Sequence, residues 1–323
     1  MAGSGLGTRQ VAQFEALRPH LMAVAYRLTG TVADAEDIVQ EAWLRWDAAE
    51  RSEDVVDLRA WLTTVVSRLG LDKLRSAAHR RETYVGHWLP EPVVTGFDAG
   101  DPLSAVVSRE DARFAAMVVL ERLSPDQRVA FVLHDGFAIP FAEVAQVLGT
   151  SESAARQLAS RARKALSGPD TEPPPEPDPS HNEVVGLLMA AMASGDLDTV
   201  VSLLHPDVTF TGDSNGKAPT AVQIIHGPDK VVRFMLGLAR RYGPAFYSAH
   251  QLGLVNGELG MYTAGFPASD GYREMMPRIT AVTVRDGKVS ALWDIANPDK
   301  FSGSPLRSGQ ARPAREPGTH HRS

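Results

Sequence analysis

The sequence contains no cysteine. Disulfides, thiolate–zinc sites and thiol redox sensing are therefore excluded, and a cytoplasmic address is expected. Long apolar runs are missing too. No stretch approaches the roughly 18–20 residues needed to span a bilayer, and Met1 to Gln10 has no apolar signal core, so no membrane partner is expected. Nor is there an overall excess of positive charge. The net charge of -6 argues against a general polyanion binder. No internal repeat of useful length is present.

What is present is a globular composition: 323 residues, 43% hydrophobic and 22% charged. At roughly 100–200 residues per domain this accommodates two or three compact units. Charge is unevenly placed. Lys73 to Arg81 holds Lys73, Arg75, Arg80 and Arg81 without an acid, and Arg156 to Lys164 holds Arg156, Arg161, Arg163 and Lys164 without one. Asp34 to Asp57 is acidic. Two cationic patches on an acidic body imply aimed contacts with nucleic acid, the plain alternative being ordinary solvated helix faces.

Proline divides the chain. Between Gly168 and Ser180, six prolines alternate with acids; lacking amide hydrogens and holding φ fixed, they predict an extended spacer. Before it, periodicity is helical. Ala35, Ile38, Val39, Ala42, Trp43 and Trp46 form one stripe, with Asp34, Asp37, Glu41 and Arg45 outside. Leu58, Trp61, Leu62, Val65 and Leu69 form a second stripe running into the first basic cluster. A third helix is predicted over Arg113 to Arg122, then a start at Ser124-Pro125, a cap followed by a first-turn proline. Everything up to Leu166 reads as all-α.

After the spacer the pattern changes. His181 to Ala193 reads as a helix stopped by Gly195, and Pro228 to Tyr242 as another. Short alternating runs, Val208 to Phe210, Leu252 to Val255, Ile279 to Val284 and Val289 to Ile295, flank turn signals. Asn256-Gly257 and Asp286-Gly287 are hairpin turns, because both positions need φ > 0. A twisted antiparallel sheet with helices, an α+β domain, is expected. The tail from Phe301 to Ser323 reads as disordered.

Phe141 to Leu166 carries the clearest motif. Phe141, Val144, Ala145 and Leu148 line one short helix, Gly149 breaks it, and Thr150-Ser151 cap a second. That one buries Ala155, Leu158, Ala159 and Ala162 and turns Arg156, Gln157, Ser160, Arg161 and Lys164 elsewhere. The result is a helix-turn-helix, whose second helix reads base edges with Arg and Gln. Arg163 and Lys164 are placed for phosphates.

These residues carry a resemblance. Leu123 to Arg128, Phe141 to Ala145, Leu148-Gly149 and Arg161 to Lys164 resemble the -35-binding region of bacterial sigma factors. Asp34 to Glu41 resembles the helix that docks on the polymerase clamp, which implies Asp34, Asp37, Gln40 and Glu41 as core-enzyme contacts. Ala60-Trp61-Leu62, Asp72 and Arg75 resemble the part that recognises and opens the -10 element, which implies Trp61, Arg68, Asp72, Arg75, Arg80 and Arg81 there. Trp61 either supports an unstacked base or belongs to the core, where its stripe puts it. The further sequence that longer sigma factors carry between the two halves is missing, as in the compact extracytoplasmic-function class, which retains only these two domains. Arg68 and Leu158 depart from residues common in the family, Asn and Arg, which bears on promoter sequence rather than mode of binding.

The C-terminal part resembles a SnoaL-like domain of the NTF2-like cone fold. Trp88 to Pro92, Asp213 to Lys217 and Asn297 to Lys300 also occur in the SigJ-like group of extended sigma factors. The fold class expected is thus two all-α sigma domains, the second with a helix-turn-helix, followed by an α+β cone. The boundaries expected are 8–82, a linker 83–110, 111–168, a spacer 169–180, 181–300 and a tail 301–323. A regulatory contact is expected between Trp88, Pro90 and Glu91 of the linker and Asp213, Lys217, Asn297, Asp299 and Lys300 of the cone; Trp88 is a large apolar side chain in a polar linker.

The function implied is promoter-specific initiation with core RNA polymerase, double-stranded promoter DNA and a melted -10 strand as partners. Self-regulation by the cone would make a separate anti-sigma factor unnecessary. A helix-turn-helix regulator independent of polymerase is the alternative. No catalysis, cofactor or metal is called for, although His205, Asp207, His226, His250 and Asp294 are the candidate general bases were the cone an enzyme, and a small ligand in its pocket is an open expectation.

Overall fold

The apolar stripes of the first 81 residues pack three helices against one another: α1 (Gly3–Thr29), α2 (Val32–Ala49) and α3 (Leu58–Arg81). This computed structural model describes residues 3–49, 55, 57–81, 83–97, 102–107, 112–167 and 177–306. The side chains of Arg80 and Arg81, most of the proline spacer and residues 307–323 lie outside the described residues. Ala35, Ile38, Val39, Ala42 and Trp46 are buried as their spacing dictates. Phe14 of α1 meets Trp43 edge-on at 5.0 Å and stacks on Trp46 at 6.2 Å, closing α1 onto α2.

The linker then runs across the C-terminal domain, contributing a two-residue strand β1 (Val94–Thr95). The second helical domain follows: α4 (Phe114–Leu120), α5 (Pro125–Phe131) running into a wider turn at Val132–Gly136, α6 (Phe141–Leu148) and α7 (Glu152–Leu166). Local chemistry fixes its joints. Ser124 and Gln127 form a reciprocal capping box with Pro125 in the first turn. Gly149 ends α6 in the left-handed region at φ 64°, and the Ser151 side chain caps α7 by accepting from the Ala154 amide.

The third domain comprises α8 (His181–Ser194), α9 (Leu197–Leu203), β2 (Leu204–Asp213), β3 (Ile225–His226), α10 (Pro228–Tyr242), α11 (Ala245–Ser248), β4 (Gln251–Val255), β5 (Glu258–Thr263), β6 (Arg278–Arg285) and β7 (Lys288–Ile295). The strand order is β1-β4-β5-β6-β7-β2-β3. Both hairpin turns expected from the sequence have positive φ at both residues: Asn256 (51°) with Gly257 (85°), and Asp286 (54°) with Gly287 (67°).

Three expectations are corrected. The sheet is mixed, because β2 runs parallel to β7; helix α10 lies in the long connection that makes such a pairing possible, and no short-range turn signal encodes it. The chain before the spacer is not wholly helical, since Val94 and Thr95 pair antiparallel with Val255 and Leu254. Phe301 to Leu306, assigned to the tail, folds back. Phe301 is buried, and the Gly303 carbonyl accepts from the Val94 amide at 2.8 Å.

One apolar core runs continuously through both helical domains, and a second fills the cone between sheet and helices. A third lies on the sheet's opposite face, where Leu89, Val94 and Phe114 pack on Val255, Ile279, Ile295 and Phe301. Full burial of one such side chain contributes about 1.5–3 kcal/mol. This interface therefore outweighs the exposed ion pairs between domains, each worth about 0–1 kcal/mol.

Candidate nucleic-acid interface and the clamp behind it

Helix α7 presents its predicted reading face to solvent. Arg156, Gln157, Ser160, Arg161, Arg163 and Lys164 are all exposed, while Ala155, Ala159 and Ala162 are buried and Leu158 partly so. Two of the cations are held in place by the domain itself. Arg156 pairs with Glu152 one turn back and lies over the Phe141 ring at 5.3 Å. Arg163 makes a two-pronged contact with Asp135 at 2.7 and 3.1 Å.

The face of α3 is differently placed. Arg68 donates to the Gln146 carbonyl of α6 at 3.0 Å, and Arg75 pairs with Asp126 of α5 at 2.9 Å. Asp72 is exposed, and Trp61 is partly buried against the helical core. Lys73, counted with the first basic cluster, turns instead to the acidic helix, 2.8 Å from Asp34 and 3.4 Å from Asp37. On α2, Asp37 and Gln40 are exposed and Glu41 bonds Arg45 at 2.9 Å.

Two buried arginines join the helical domains further in. Arg128 donates to the Arg27 carbonyl at 3.0 Å and pairs with Glu121 at 2.7 Å, while the Arg27 guanidinium lies 4.9 Å over Phe137.

The three pieces expected to meet do so. Asp213, fully buried at the end of β2, accepts from the Leu89 amide at 2.8 Å, from the Tyr84 hydroxyl and from Lys300 at 2.6 Å. Lys300 also donates to the Leu89 carbonyl and sits 3.5 Å over the Trp88 ring. Asn297 donates to Tyr84 at 2.9 Å, and Lys217 pairs with Asp299 nearer the surface. Burial, then the bond to the Asp213 carboxylate, holds the Tyr84 phenol far above its ordinary range, so it stays a donor.

Pro90 and Glu91 are buried as well. One Glu91 carboxylate oxygen accepts from the Val32 amide, the first residue of α2, at 2.7 Å. The other takes the Ser302 hydroxyl and the Gly303 amide at 2.9 Å. Its charge is thus met by a helix N-terminus and by the returning chain end.

Sequence reasoning missed Tyr26, Tyr84 and Asn256. Asn256, fully buried in its hairpin turn, donates to Tyr26 at 2.8 Å and to the Ala112 carbonyl at 2.7 Å, and accepts from Val93 at 2.9 Å. Tyr26 in turn donates its hydroxyl hydrogen bond to the Glu91 carbonyl at 2.7 Å. One side chain thereby ties both helical domains, the linker and the cone. The Asn-Gly signal gave its turn; nothing local gave its partners.

The five candidate bases are split. His250 and Asp294 face the cone interior, where they line a small pocket of about 40 Å³. Asp294 is bound to Arg278 at 3.1 Å and to Thr220 at 2.6 Å. His205, Asp207 and His226 lie elsewhere, by Arg285 and β3; Arg285 is 3.2 Å from His205 and 3.6 Å from Asp207.

Burial pushes the His250 imidazole below its ordinary value, against the pull of its bond to the Phe246 carbonyl. The unfolded chain then takes up this proton first as pH falls, so stability declines below about pH 6.5. The drop in denaturant midpoint between pH 7.5 and 5.5 should be smaller in His250→Gln.

Two helical domains, the second bearing a helix-turn-helix and the first an acidic helix beside a basic one, define a class: promoter-recognition subunits. Family models agree. Sigma-70 region 2 matches residues 13–80, Sigma-70 region 4 matches 113–166, and a SnoaL-like domain matches 185–292. The chain is 76% identical over 314 residues to the ECF RNA polymerase sigma factor SigJ of Mycobacterium tuberculosis, covering 97% of this chain and 100% of that protein. It belongs to the extracytoplasmic-function RNA polymerase sigma factors. The crystal structure of M. tuberculosis SigJ superimposes with a TM-score of 0.82, covering 92% of this chain and 100% of the other. The probable sigma factor SigI of the same species is 37% identical over 203 residues, 61% of this chain and 67% of its own.

Proposed function

We propose that this chain starts transcription by carrying core RNA polymerase to promoters. Helix α7 reads the -35 element, α3 engages and opens the -10 element, and the acidic face of α2 docks on the enzyme. The cone domain holds the helical domains in a packed form that engagement must open. The observation that carries this reading is the unequal state of the two reading faces. Arg156 and Arg163 of α7 are bonded within their own domain, whereas Arg68 and Arg75 of α3, also at the surface, are bonded across to α6 and α5 of the other domain.

Dimensions support it. Elements centred about 25 base pairs apart are roughly 85 Å apart at 3.4 Å per pair. Helices of 24 and 15 residues are about 36 and 22 Å long even end to end. Domains in direct contact fall short of that span. In this reading the cone does the work of a separate anti-sigma factor, and no reaction is assigned to it. Run-off transcription with core enzyme tests the whole: no transcript above core enzyme alone would end it.

The reading face carries its own prediction. Arg161→Ala should weaken promoter binding by the core-bound chain roughly 5- to 150-fold, the ~1–3 kcal/mol of a base contact, at particular -35 sequences only. Lys164→Ala should weaken binding uniformly across sequences and lower the salt slope by about 1. Binding titrations over two promoters and several salt concentrations separate the two.

A further inference from the structure

A crevice of about 440 Å³ lies where three parts of the chain meet: the linker, α4 with its following turn, and the outer face of the cone's sheet. It is separate from the cone interior and from both DNA-reading faces, and its volume falls within the roughly 300–1,000 Å³ typical of small-molecule sites. The floor is apolar and aromatic, with Trp88 from the linker, Val118 from α4 and Trp293 from β7. Trp293 is fixed by donating to Thr283 at 3.0 Å.

Charge at the rim decides the occupant. Arg122 is exposed on the turn after α4, and Arg285 stands across from it at the end of β6. The acids among the lining residues are Glu121, which is paired with the buried Arg128, and Asp207, which lies 3.6 Å from Arg285. Two lining guanidinium groups therefore face two carboxylates, and since Glu121 is already matched by the buried Arg128 the balance of charge at the rim is positive, with His87 and His226 adding ring nitrogens. A flat apolar floor beneath a cationic rim fits an aromatic body bearing a carboxylate or sulfonate.

We infer that this crevice binds a small aromatic organic anion, and that the site exists only while the three walls are packed together. An occupant touching all three walls binds the packed form and not the opened one, so it favours the packed form by mass action. The second half of this inference rests on the reading that polymerase engagement separates the domains; the first half does not.

The test uses the full chain and 8-anilinonaphthalene-1-sulfonate as the probe, followed by its fluorescence. Saturable one-to-one binding is expected, weakened at least tenfold by Arg122→Glu and by Ala291→Phe, which fills the floor, and unchanged by Arg241→Glu on α10. Because Arg122 is exposed, its reversal leaves the fold intact, and the test does not depend on Ala291→Phe folding. Absence of saturable binding, or equal affinity in Arg122→Glu, overturns the site. Adding stoichiometric core RNA polymerase should weaken the probe at least tenfold. Unchanged affinity with the enzyme bound overturns the dependence on packing, and with it the proposed opening, while the site itself stands.

Discussion

Lys300→Met is expected to destabilise the full chain by about 3–5 kcal/mol, the cost of leaving one member of a buried ion pair alone. Lys300 and Asp213 are 3% and 0% exposed, so solvent does not stand in for the missing partner. Asp213→Asn should cost a comparable amount, stranding the ammonium between the Leu89 carbonyl and the Trp88 ring. The double variant should lose less than the sum, because neither charge is then left unmatched. Replacing both by apolar residues is not expected to be neutral here, since the Leu89 amide and the Tyr84 hydroxyl also need Asp213 as acceptor. Urea unfolding of the four proteins measures all of this; a loss under 1 kcal/mol for Lys300→Met would show that the pair holds nothing. Because the pair joins linker to cone, the variant should also raise run-off transcription at limiting core enzyme, as the packed form loses its advantage.

Asn256→Ala should be nearly as damaging, at about 3–6 kcal/mol. It removes three buried hydrogen bonds and leaves the Val93 amide and the Ala112 carbonyl without their partner, each such loss costing about 1–3 kcal/mol. A second contribution comes from the backbone. Asn256 sits at φ 51°, a conformation Asn tolerates and Ala resists. Asn256→Gly relieves that strain but not the lost bonds, so the glycine variant should recover about 1 kcal/mol over the alanine one. Equal stability of the two would remove the backbone contribution. Amide exchange at Val93 in the glycine variant, faster than in the parent, would report the loosened linker directly.

These two residues mark what a sequence can and cannot convey. Chemistry that acts within a few residues was legible: the Ser124-Pro125 start, the Gly149 stop with the Ser151 cap, and the two hairpins at Asn256-Gly257 and Asp286-Gly287. So was the outward direction of Arg156, Gln157, Ser160 and Arg161, because a 3.6-residue period dictates it. Pairings across the chain were not. The parallel contact of β2 with β7, the burial of Glu91 against Val32 and Gly303, and the turn of Lys73 toward Asp34 depend on partners dozens to hundreds of residues away. Resemblance supplied part of this, joining Trp88 to Asp213 and Lys300. It did not supply Tyr26, Tyr84 or Asn256, which lie outside the quoted motifs.

The strand contributed by Val94 and Thr95 has a bearing on how the molecule tolerates being cut. It covers β4, which is otherwise the rim of the sheet. A fragment beginning after the proline spacer would carry that rim bare, with main-chain donors and acceptors ready to recruit any extended segment, including a twin fragment. The helical fragment, for its part, would carry Leu89, Val94 and Phe114 uncovered. Severing this protein at its spacer thus makes two sticky pieces rather than two independent domains, and point substitutions at the seam are the cleaner way to part them.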